Sequence, residues 1–181
     1  MDKNITSIKI DANNCFEVFL DTRSKTDEIS IEGKIDGEYK KDLKLNIVKD
    51  GNSVWVNAGF RPNFKNPNDK LSAHKVISIA LRITVPEWKW VSLYGTRSRV
   101  LAQGKYKKLN IALSEGSCEL KEVAQQVNVR TQSGDILVNA IAAQINARTK
   151  YGTQDKNTIP KGHNRYTLNT VTGNIILNKT E

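Results

Sequence analysis

The sequence holds few residues whose type and spacing could carry out a reaction. Glu115 and Asp135 are the best carboxylate pair, because each stands next to a glycine of a repeated segment, at offsets of minus one and plus one. Two acids close together, one with a raised pKa, are what glycoside hydrolysis requires. A solvated turn does not desolvate a carboxylate, so we expect no catalytic pair here.

The sequence gives no better support for a nucleophilic catalytic site or for a metal site. Cys118 occupies an apolar column and His163 lies in an irregular segment, so nothing places a base beside the thiol. The motifs GxSxG, GxGxxG, GxxxxGK[ST] and HExxH are all absent. A zinc centre needs four ligands, and Cys15, Cys118, His74 and His163 are the only thiols and imidazoles. The sequence therefore predicts two buried free thiols and no catalytic, cofactor-binding or metal site.

Charge is the more informative feature. The 181 residues include 28 Lys and Arg against 19 Asp and Glu, a net charge of +9. Residues 86–181 carry 14 basic and 7 acidic residues, whereas residues 1–85 carry 14 and 12. A concentrated positive surface raises the local concentration of polyanions. The predicted polyanion-binding residues are Arg97, Arg99, Arg130, Arg148 and Lys150.

Several partners fit such a surface. An acidic polysaccharide, lipid headgroups or another envelope protein would each be attracted, and a solvated face that only keeps the protein soluble is the open alternative. Nucleic acid is disfavoured, because binding of single strands uses aromatic platforms among the basic groups. Only Tyr94 and Tyr151, at matching offsets, come near that pattern.

The elements that would position these residues are strands. Val, Ile and Thr recur throughout, and apolar residues alternate with polar ones, as in Phe16, Val18 and Leu20. This period of two indicates strands with one buried face. Asp50-Gly51 and Asp36-Gly37 predict hairpin turns. Residues 61–75, with two prolines and no periodicity, predict a long irregular loop after the N-terminal antiparallel strands.

From about residue 86 the chain resembles itself. Five similar segments end at Gly95, Gly116, Gly134, Gly152 and Gly173, at intervals of 21, 18, 18 and 21 residues. The positions seven and five before each glycine are apolar, and after the glycine the apolar parity switches. We therefore expect a turn or bulge at each glycine, a residue that tolerates it.

The spacing of these segments predicts stacked repeats. Segments of 18–21 residues that cannot bury their apolar face alone are typical of a β-solenoid or β-roll. Stacking would bring Asn110, Asn128 and Asn146 into one side-chain ladder. An antiparallel meander is the alternative. Residues 153–165 replace the apolar pair with polar residues, and we expect a looped-out segment there. We expect capping of the stack by the N-terminal hairpins and the final strand.

The alternation of apolar positions also predicts whether each of the three tryptophans faces the core. Trp88 and Trp90 fall in the apolar columns of the first repeat, which predicts a core position rather than a ligand site. Trp55 alternates with Val54 and Val56, which places its indole on the opposite face of its strand.

One motif carries a family resemblance. Ser133-Gly134-Asp135-Ile136, echoed by Thr172-Gly173-Asn174-Ile175 and preceded by ISIALRITVPEWKWVSLYG, resembles bacterial DUF4097 and related adhesin-like families. These families show an I-x-V-P strand followed by SG(D/N)I repeats. Two repeats depart from the motif, at Tyr94-Gly95-Thr96 and Tyr151-Gly152-Thr153. The resemblance covers most of the chain. It implies a β-solenoid-like fold, frequent on exported or membrane-attached bacterial proteins, with no catalytic residues to carry over.

These observations combine into one expectation. The chain is a single elongated all-β domain over residues 1–181, with N-terminal strands and hairpins in 1–85 and stacked repeats in 86–181. Its expected role is a non-enzymatic, adhesin-like interaction module of the bacterial cell envelope. A β-helical enzyme acting on acidic polysaccharide is the alternative. No apolar run is long enough to span a membrane. We expect an extracytoplasmic location if the chain is a mature segment without its signal, and a cytoplasmic one stays open.

Overall fold

The chain forms β-strands throughout the part that the structure describes. This computed structural model describes residues 5–37, 43–60 and 77–181. No helix occurs within these ranges and all the strands join one 13-stranded sheet, so the predicted all-β class is confirmed. The strands are β1 (Ser7–Asp11), β2 (Glu17–Arg23), β3 (Ser30–Gly37), β4 (Leu43–Asp50), β5 (Ser53–Phe60), β6 (Ile77–Pro86), β7 (Trp90–Gly95), β8 (Arg99–Leu113), β9 (Cys118–Thr131), β10 (Ile136–Ala140), β11 (Gln144–Thr149), β12 (Arg165–Thr170) and β13 (Ile175–Lys179).

Two ladders of hydrogen-bonded strands make up this sheet. The strands β8 and β9 are long and run through both ladders, bending near Gly104, whose φ is 104°. We name the order β11-β12-β9-β8-β7-β1-β5-β4 the front ladder. The back ladder contains β13, β10, β9, β8, β2, β6 and β3 in that order. Inward side chains of both ladders form one hydrophobic core.

The apolar columns of the repeats lie next to one another in this core. On the front ladder Leu109 pairs with Val127, Val127 with Tyr166, and Tyr166 with Ile145. Leu109, Val127 and Tyr166 are fully buried, while Ile145 on the edge strand β11 is partly buried. The side chains at even positions after Gly116, Gly134 and Gly173, such as Cys118 and Ile136, are buried in the back ladder, as their parity predicted.

Strand direction corrects two expectations. The pairings among β7–β13 are parallel, so the antiparallel meander is wrong for the described repeats. The N-terminal strands were expected to be antiparallel hairpins, but β1 and β2 pair in parallel with β5 and β6. Among the described strands, β4 with β5 and β3 with β6 pair in the antiparallel direction, at the ends of the two ladders.

The turn predictions had mixed outcomes. The Asp50-Gly51 turn joins β4 to β5, and Gly51 has the positive φ (55°) that a tight turn needs. The Asp36-Gly37 hairpin is wrong, because both residues lie within β3 and pair with β6. The predicted irregular loop at 61–75 lies outside the described residues.

The order of strands in space differs from their order in the chain. On the front ladder β12 lies between β9 and β11, and β1 lies between β5 and β7. The final strand β13 is the outermost strand of the back ladder, as the predicted capping requires, but the front ladder ends on β11 and not on β13. A single bridge joins β13 to Gln154, and the segment after Gln154 lies beside β13 at that end. It is irregular, as predicted, and it buries Ile159 against the core.

The repeat glycines stack on one another at a corner between the ladders. A Cβ on Gly134 would lie 1.6 Å from the carbonyl oxygen of Gly116, and one on Gly173 would lie 2.2 Å from that of Gly134. None of the stacked glycines has a positive φ. The glycines are therefore required by the close approach of neighbouring backbones at the corner, and not by a left-handed backbone conformation.

The first repeat was aligned in the wrong phase. Gly95 pairs with Leu113, and Ser98 occupies the corner next to Gly116. Consequently Trp88 and Trp90 do not lie in the core: their side chains are 47% and 50% exposed. Val91 and Leu93 fill the core columns of this repeat instead, and both are fully buried.

A threonine three residues before the glycine is a corner signal that our sequence reading missed. The hydroxyl of Thr149 donates a hydrogen bond to the carbonyl of Gly173 in the neighbouring repeat (2.9 Å) and accepts one from the amide of Gly152 (3.0 Å). Thr170 accepts the corresponding bond from Gly173 (3.1 Å). The threonines satisfy backbone groups that the tight corner would otherwise leave unpaired.

Candidate ligand-binding face

The outward side of the front ladder is the strongest candidate for a binding surface, and we name it the front face. Parallel in-register pairing arranges its side chains in straight rows across the strands. One row runs through Ser92, Asn110, Asn128, Thr167 and Asn146. Neighbouring members of a row are about 4.8 Å apart, the spacing of paired strands. Such rows offer one chemical group repeatedly along the direction of stacking.

The described strands of the front ladder carry an excess of positive charge on this face. Within the described strands, six cationic side chains point outward from the front ladder against two carboxylates, Asp11 and Asp50. The six cations are Lys9, Lys44, Lys108, Arg130, Arg148 and Arg165.

The outward side of the back ladder is balanced by comparison. Five cationic side chains face five carboxylates within the described strands, so no excess of either sign remains. The cations are Arg23, Lys34, Arg82, Arg99 and Lys121, and the carboxylates are Glu17, Asp21, Glu32, Asp36 and Glu119.

The structure divides the five predicted polyanion-binding residues. Arg130 and Arg148 share one row of the front face with Asn169 between them, which sets them two strand spacings, about 10 Å, apart. Lys150 lies at the corner that follows β11, with its ammonium 4.8 Å from the ring centroid of Tyr151. Arg97 lies at the corner before β8, and Arg99 points outward from the back ladder.

The predicted polyanion-binding arginines also differ in whether they form ion pairs. Arg97 binds Glu115 with 2.7 Å between Nε and Oε2, and Arg99 lies 3.9 Å from a carboxylate oxygen of Glu119. Among the residues that the structure describes, neither Arg130 nor Arg148 makes an ion pair. These two guanidinium groups are exposed and available to an external anion.

A shallow depression adjoins Arg130. It has a volume of about 260 Å³ and lies over the small side chain of Ala112, between Tyr94 and Arg130. Asn110 and Asn128 form one side of it. An exposed aromatic ring, a guanidinium and two amides around an open floor are groups that fix the orientation of a polar ligand.

The asparagine ladder forms only in part. Asn128 Nδ2 donates to Asn110 Oδ1 (2.9 Å), and Asn110 Nδ2 donates to Ser92 Oγ (3.4 Å). Asn146 is separated from Asn128 by Thr167, so the predicted third member is not in the ladder. A second ladder that the sequence reading missed runs on the back ladder, where Asn178 donates to Asn139 (3.1 Å) and Asn139 to Glu119 (3.3 Å).

This difference predicts unequal effects of removing the amides. Asn128→Ala removes a hydrogen bond between neighbouring strands and should lower the free energy of unfolding by about 1 kcal/mol. Asn146→Ala is the matched control, since its amide makes no hydrogen bond to a described residue, and should change it by less than about 0.5 kcal/mol. Urea unfolding followed by circular dichroism measures both values. Equal losses in the two variants would contradict a stabilising ladder.

The residues considered for catalysis have other partners. Glu115 is bound to Arg97, and Asp135 Oδ1 accepts a hydrogen bond from the amide of Asn174 (2.7 Å). Both cysteines are free and buried, as predicted. Burial, with a smaller contribution from Asp11, raises the pKa of Cys15 to about 12. The thiols therefore stay protonated and unreactive near neutral pH.

The described residues contain neither a cluster of metal ligands nor a membrane-spanning helix. Among residues 5–37, 43–60 and 77–181, no three His, Cys, Asp or Glu side chains cluster as metal ligands would. No helix in these ranges has the length and hydropathy of a membrane span.

Comparison with known proteins gives a structural likeness and no sequence family. No family model and no curated protein matches the chain, so the DUF4097 resemblance stays a prediction. The chain is similar to the crystal structure of a candidate cell adhesion protein from Clostridium sporogenes ATCC 15579, with a TM-score of 0.61, 18% identity, and coverage of 98% of this chain and 93% of that one. A candidate adhesin from Bacteroides fragilis NCTC 9343 aligns with a TM-score of 0.36 and 16% identity over 94% of this chain and 91% of that one. The first likeness shows a shared all-β fold.

Proposed function

We propose that the protein is a non-enzymatic, adhesin-like binding module that holds a polyanion against its front face. The observation that carries this proposal is the imbalance of charge on a face made of straight rows, where the described strands present six cations against two carboxylates. The all-β fold shared with a protein described as a candidate cell adhesion protein supports the adhesin-like part. The alternative of a β-helical enzyme acting on acidic polysaccharide has no comparable support, since Glu115 and Asp135 are each bound elsewhere.

Arg130 and Arg148 are the central contacts in this proposal. They lie in one row, make no ion pair with any residue that the structure describes and flank the amide of Asn169. Lys150 extends the same positive region at the adjacent corner. Arg97 and Arg99 contribute less, because Glu115 and Glu119 lie beside them and offset part of their attraction for an external anion. The structure thus supports part of the five-residue set more strongly than the rest.

We also propose an architecture for the whole chain. We regard residues 1–181 as a single elongated domain and the paired repeats as a β-solenoid whose segments stack in an order different from the chain. Backbone groups within such a stack are satisfied from segment to segment, and side chains on the faces are free to bind. An extracytoplasmic location at the cell envelope, with an acidic polysaccharide or another envelope protein as partner, fits such a module.

The experiment removes the two arginines together. Arg130→Gln with Arg148→Gln should weaken binding to immobilised heparin about five- to tenfold, because two exposed charge contacts are lost. The dependence of affinity on salt should also become shallower. Surface plasmon resonance at several salt concentrations measures both quantities.

A variant with the same loss of charge on the other face is the control. Arg23→Gln with Arg82→Gln removes two cations from the balanced back face and should change heparin affinity less than twofold. Equal weakening in the two double variants would show that only net charge matters. Retention of wild-type protein no stronger than that of an unrelated protein of equal charge would refute the proposed function.

A further inference from the structure

Two exposed tryptophans on the front face are each joined to a lysine. Trp55 is 44% exposed, and the Nζ of Lys9 lies 4.4 Å from its ring centroid. Trp90 is 50% exposed, with the Nζ of Lys107 at 5.3 Å. A cation over an indole is attracted by the electrons of the ring, which holds the two groups together. Each pair therefore presents an apolar ring and a positive charge side by side.

The surroundings of Trp55 form a second depression on the same face. It has a volume of about 430 Å³ and is lined by Asp11, Asn46 and Asn57 as well as by Trp55 and Val48. These polar residues come from three adjacent strands, β1, β4 and β5, and occupy one row. Amides donate and accept hydrogen bonds, and a carboxylate accepts them. Around an exposed indole, they match the hydroxyl groups of a sugar whose carbon-hydrogen face lies on the ring.

The positions of these groups suit one extended ligand. Trp55 and Trp90 are two strands and one row apart, about 12 Å by strand geometry. Arg130 lies two strands beyond Trp90 in the same direction across the ladder, but it is level with Tyr94, two rows away from Trp90. A chain that crosses the strands from Trp55 to Trp90 would meet an indole with its ammonium and then a second such pair, and the next cation in the row of Trp90 is Lys108.

From this arrangement we infer that the polyanion held by the front face is an acidic polysaccharide, with one uronate ring on Trp55 and its carboxylate on Lys9. The inference rests on the proposed function and names its ligand class. A polymer that carries charge alone, such as polyphosphate, has no apolar ring face for the indoles. A uronate has both a ring and a carboxylate, which is the combination that each tryptophan-lysine pair offers.

The test compares a ring-bearing polyanion with a charge-only one. Hexagalacturonate, hexamannuronate and polyphosphate of equal charge are titrated into wild-type protein and into Trp55→Ala by calorimetry. Trp55→Ala should weaken binding of at least one hexauronate about tenfold through the lost ring contact, and that of polyphosphate less than twofold. Trp88→Ala, which removes a similarly exposed indole outside the front face, is the matched control and should leave all affinities unchanged.

The outcomes separate the two proposals. If wild-type protein binds polyphosphate but neither hexauronate, or if Trp55→Ala has no effect on uronate binding, the inference is wrong and polyanion binding stands. An equal loss with polyphosphate and uronate in Trp55→Ala would also overturn it, since the indole would then act through charge or folding. If wild-type protein binds none of the three probes, the proposed function itself fails.

Discussion

Gly134→Ala is expected to cause a severe loss of stability. The added Cβ would lie 1.6 Å from the carbonyl oxygen of Gly116 and 2.4 Å from its carbonyl carbon, and backbone atoms cannot move aside as a flexible side chain can. Gly173 stacks on the other side of Gly134, so the displaced segment would press on a second neighbour. Overpacking usually costs about 1–3 kcal/mol. We expect a loss of about 3 kcal/mol or more, which corresponds to a fall in Tm of roughly 6–12 °C for a protein of this size.

The control is the same substitution in a strand with room for it. At Gly33 an added Cβ would meet only Leu81 Cδ2, at 3.5 Å, an ordinary contact. Gly33→Ala should therefore keep the wild-type Tm within about 2 °C, or raise it slightly because alanine lowers the entropy of the unfolded chain. Differential scanning calorimetry measures both variants. A Gly134→Ala protein with an unchanged Tm would refute the stacked corner.

The second large effect is a loss of stability at alkaline pH. Four buried acids have a raised pKa in the folded protein: Cys15, Cys118, Tyr106 and Tyr166. Burial is the main cause in each, with smaller contributions from Asp11, Glu119, Asp21 and Glu122 respectively. The ordinary values are 9.0 for the thiols and 10.0 for the phenols. Above these values the unfolded chain releases protons that the folded chain keeps.

The sign of the effect follows from this difference in proton binding. Below pH 9 both states hold these protons, so the four groups cause no pH dependence there. Above their ordinary pKa, each lowers the free energy of unfolding by up to about 1.4 kcal/mol per pH unit. We expect urea titrations to show a stability that declines between pH 9 and 10 through the thiols, and more steeply between pH 10 and 11 as the phenols join.

A variant without the two thiols separates their contribution to the alkaline loss of stability from that of the two phenols. Cys15→Ala with Cys118→Ala removes both groups that titrate first, so its stability, compared with its own value at pH 8, should decline much less between pH 9 and 10. The phenol-driven decline above pH 10 should persist. A wild-type protein equally stable at pH 8 and pH 11, or an identical pH 9–10 slope in the variant, would contradict the assignment.

Local pattern predicted the strands and many of the contacts. Alternation identified the buried columns of Leu109 and Val127, and a constant spacing of 18 residues placed Asn110 next to Asn128. These features depend on residues close in sequence or on an exact repeat. Both are visible in the sequence, because a strand with one buried face must alternate.

Two of the predictions failed because side chains alternate between the faces of a strand. Aligning the first repeat on Gly95 instead of Ser98 is a shift of three residues, an odd number, which moves every side chain to the other face of its strand. Trp90 was therefore assigned to the core although it is exposed. The same parity decides which arginines share a face. Arg99 and Arg130 belong to different faces because the chain turns a corner between them, and composition alone does not show this.

The order of segments could not be read from local pattern either. Asn128 has Thr167 beside it rather than Asn146, because β12 lies between β9 and β11. The segments that contain Ile145 and Tyr166 present the same alternation and the same corner threonine to β9. Periodicity shows that each can stack, but it does not rank one neighbour above the other.

The interior position of β1 and β12 in the front ladder has a consequence for how the protein unfolds. The outermost strands of the front ladder are β4 and β11, whereas β1 and β12, which lie closer to the two ends of the chain, have strands bonded along both sides. Within the front ladder, strands that detach from either edge are therefore lost in the order β4, β5, β1 at one side and β11, β12 at the other. The front ladder thus cannot lose its segments one at a time in chain order from β1 or from β12, which is how linear repeat arrays shorten, whereas the back ladder does have the last strand, β13, at its edge.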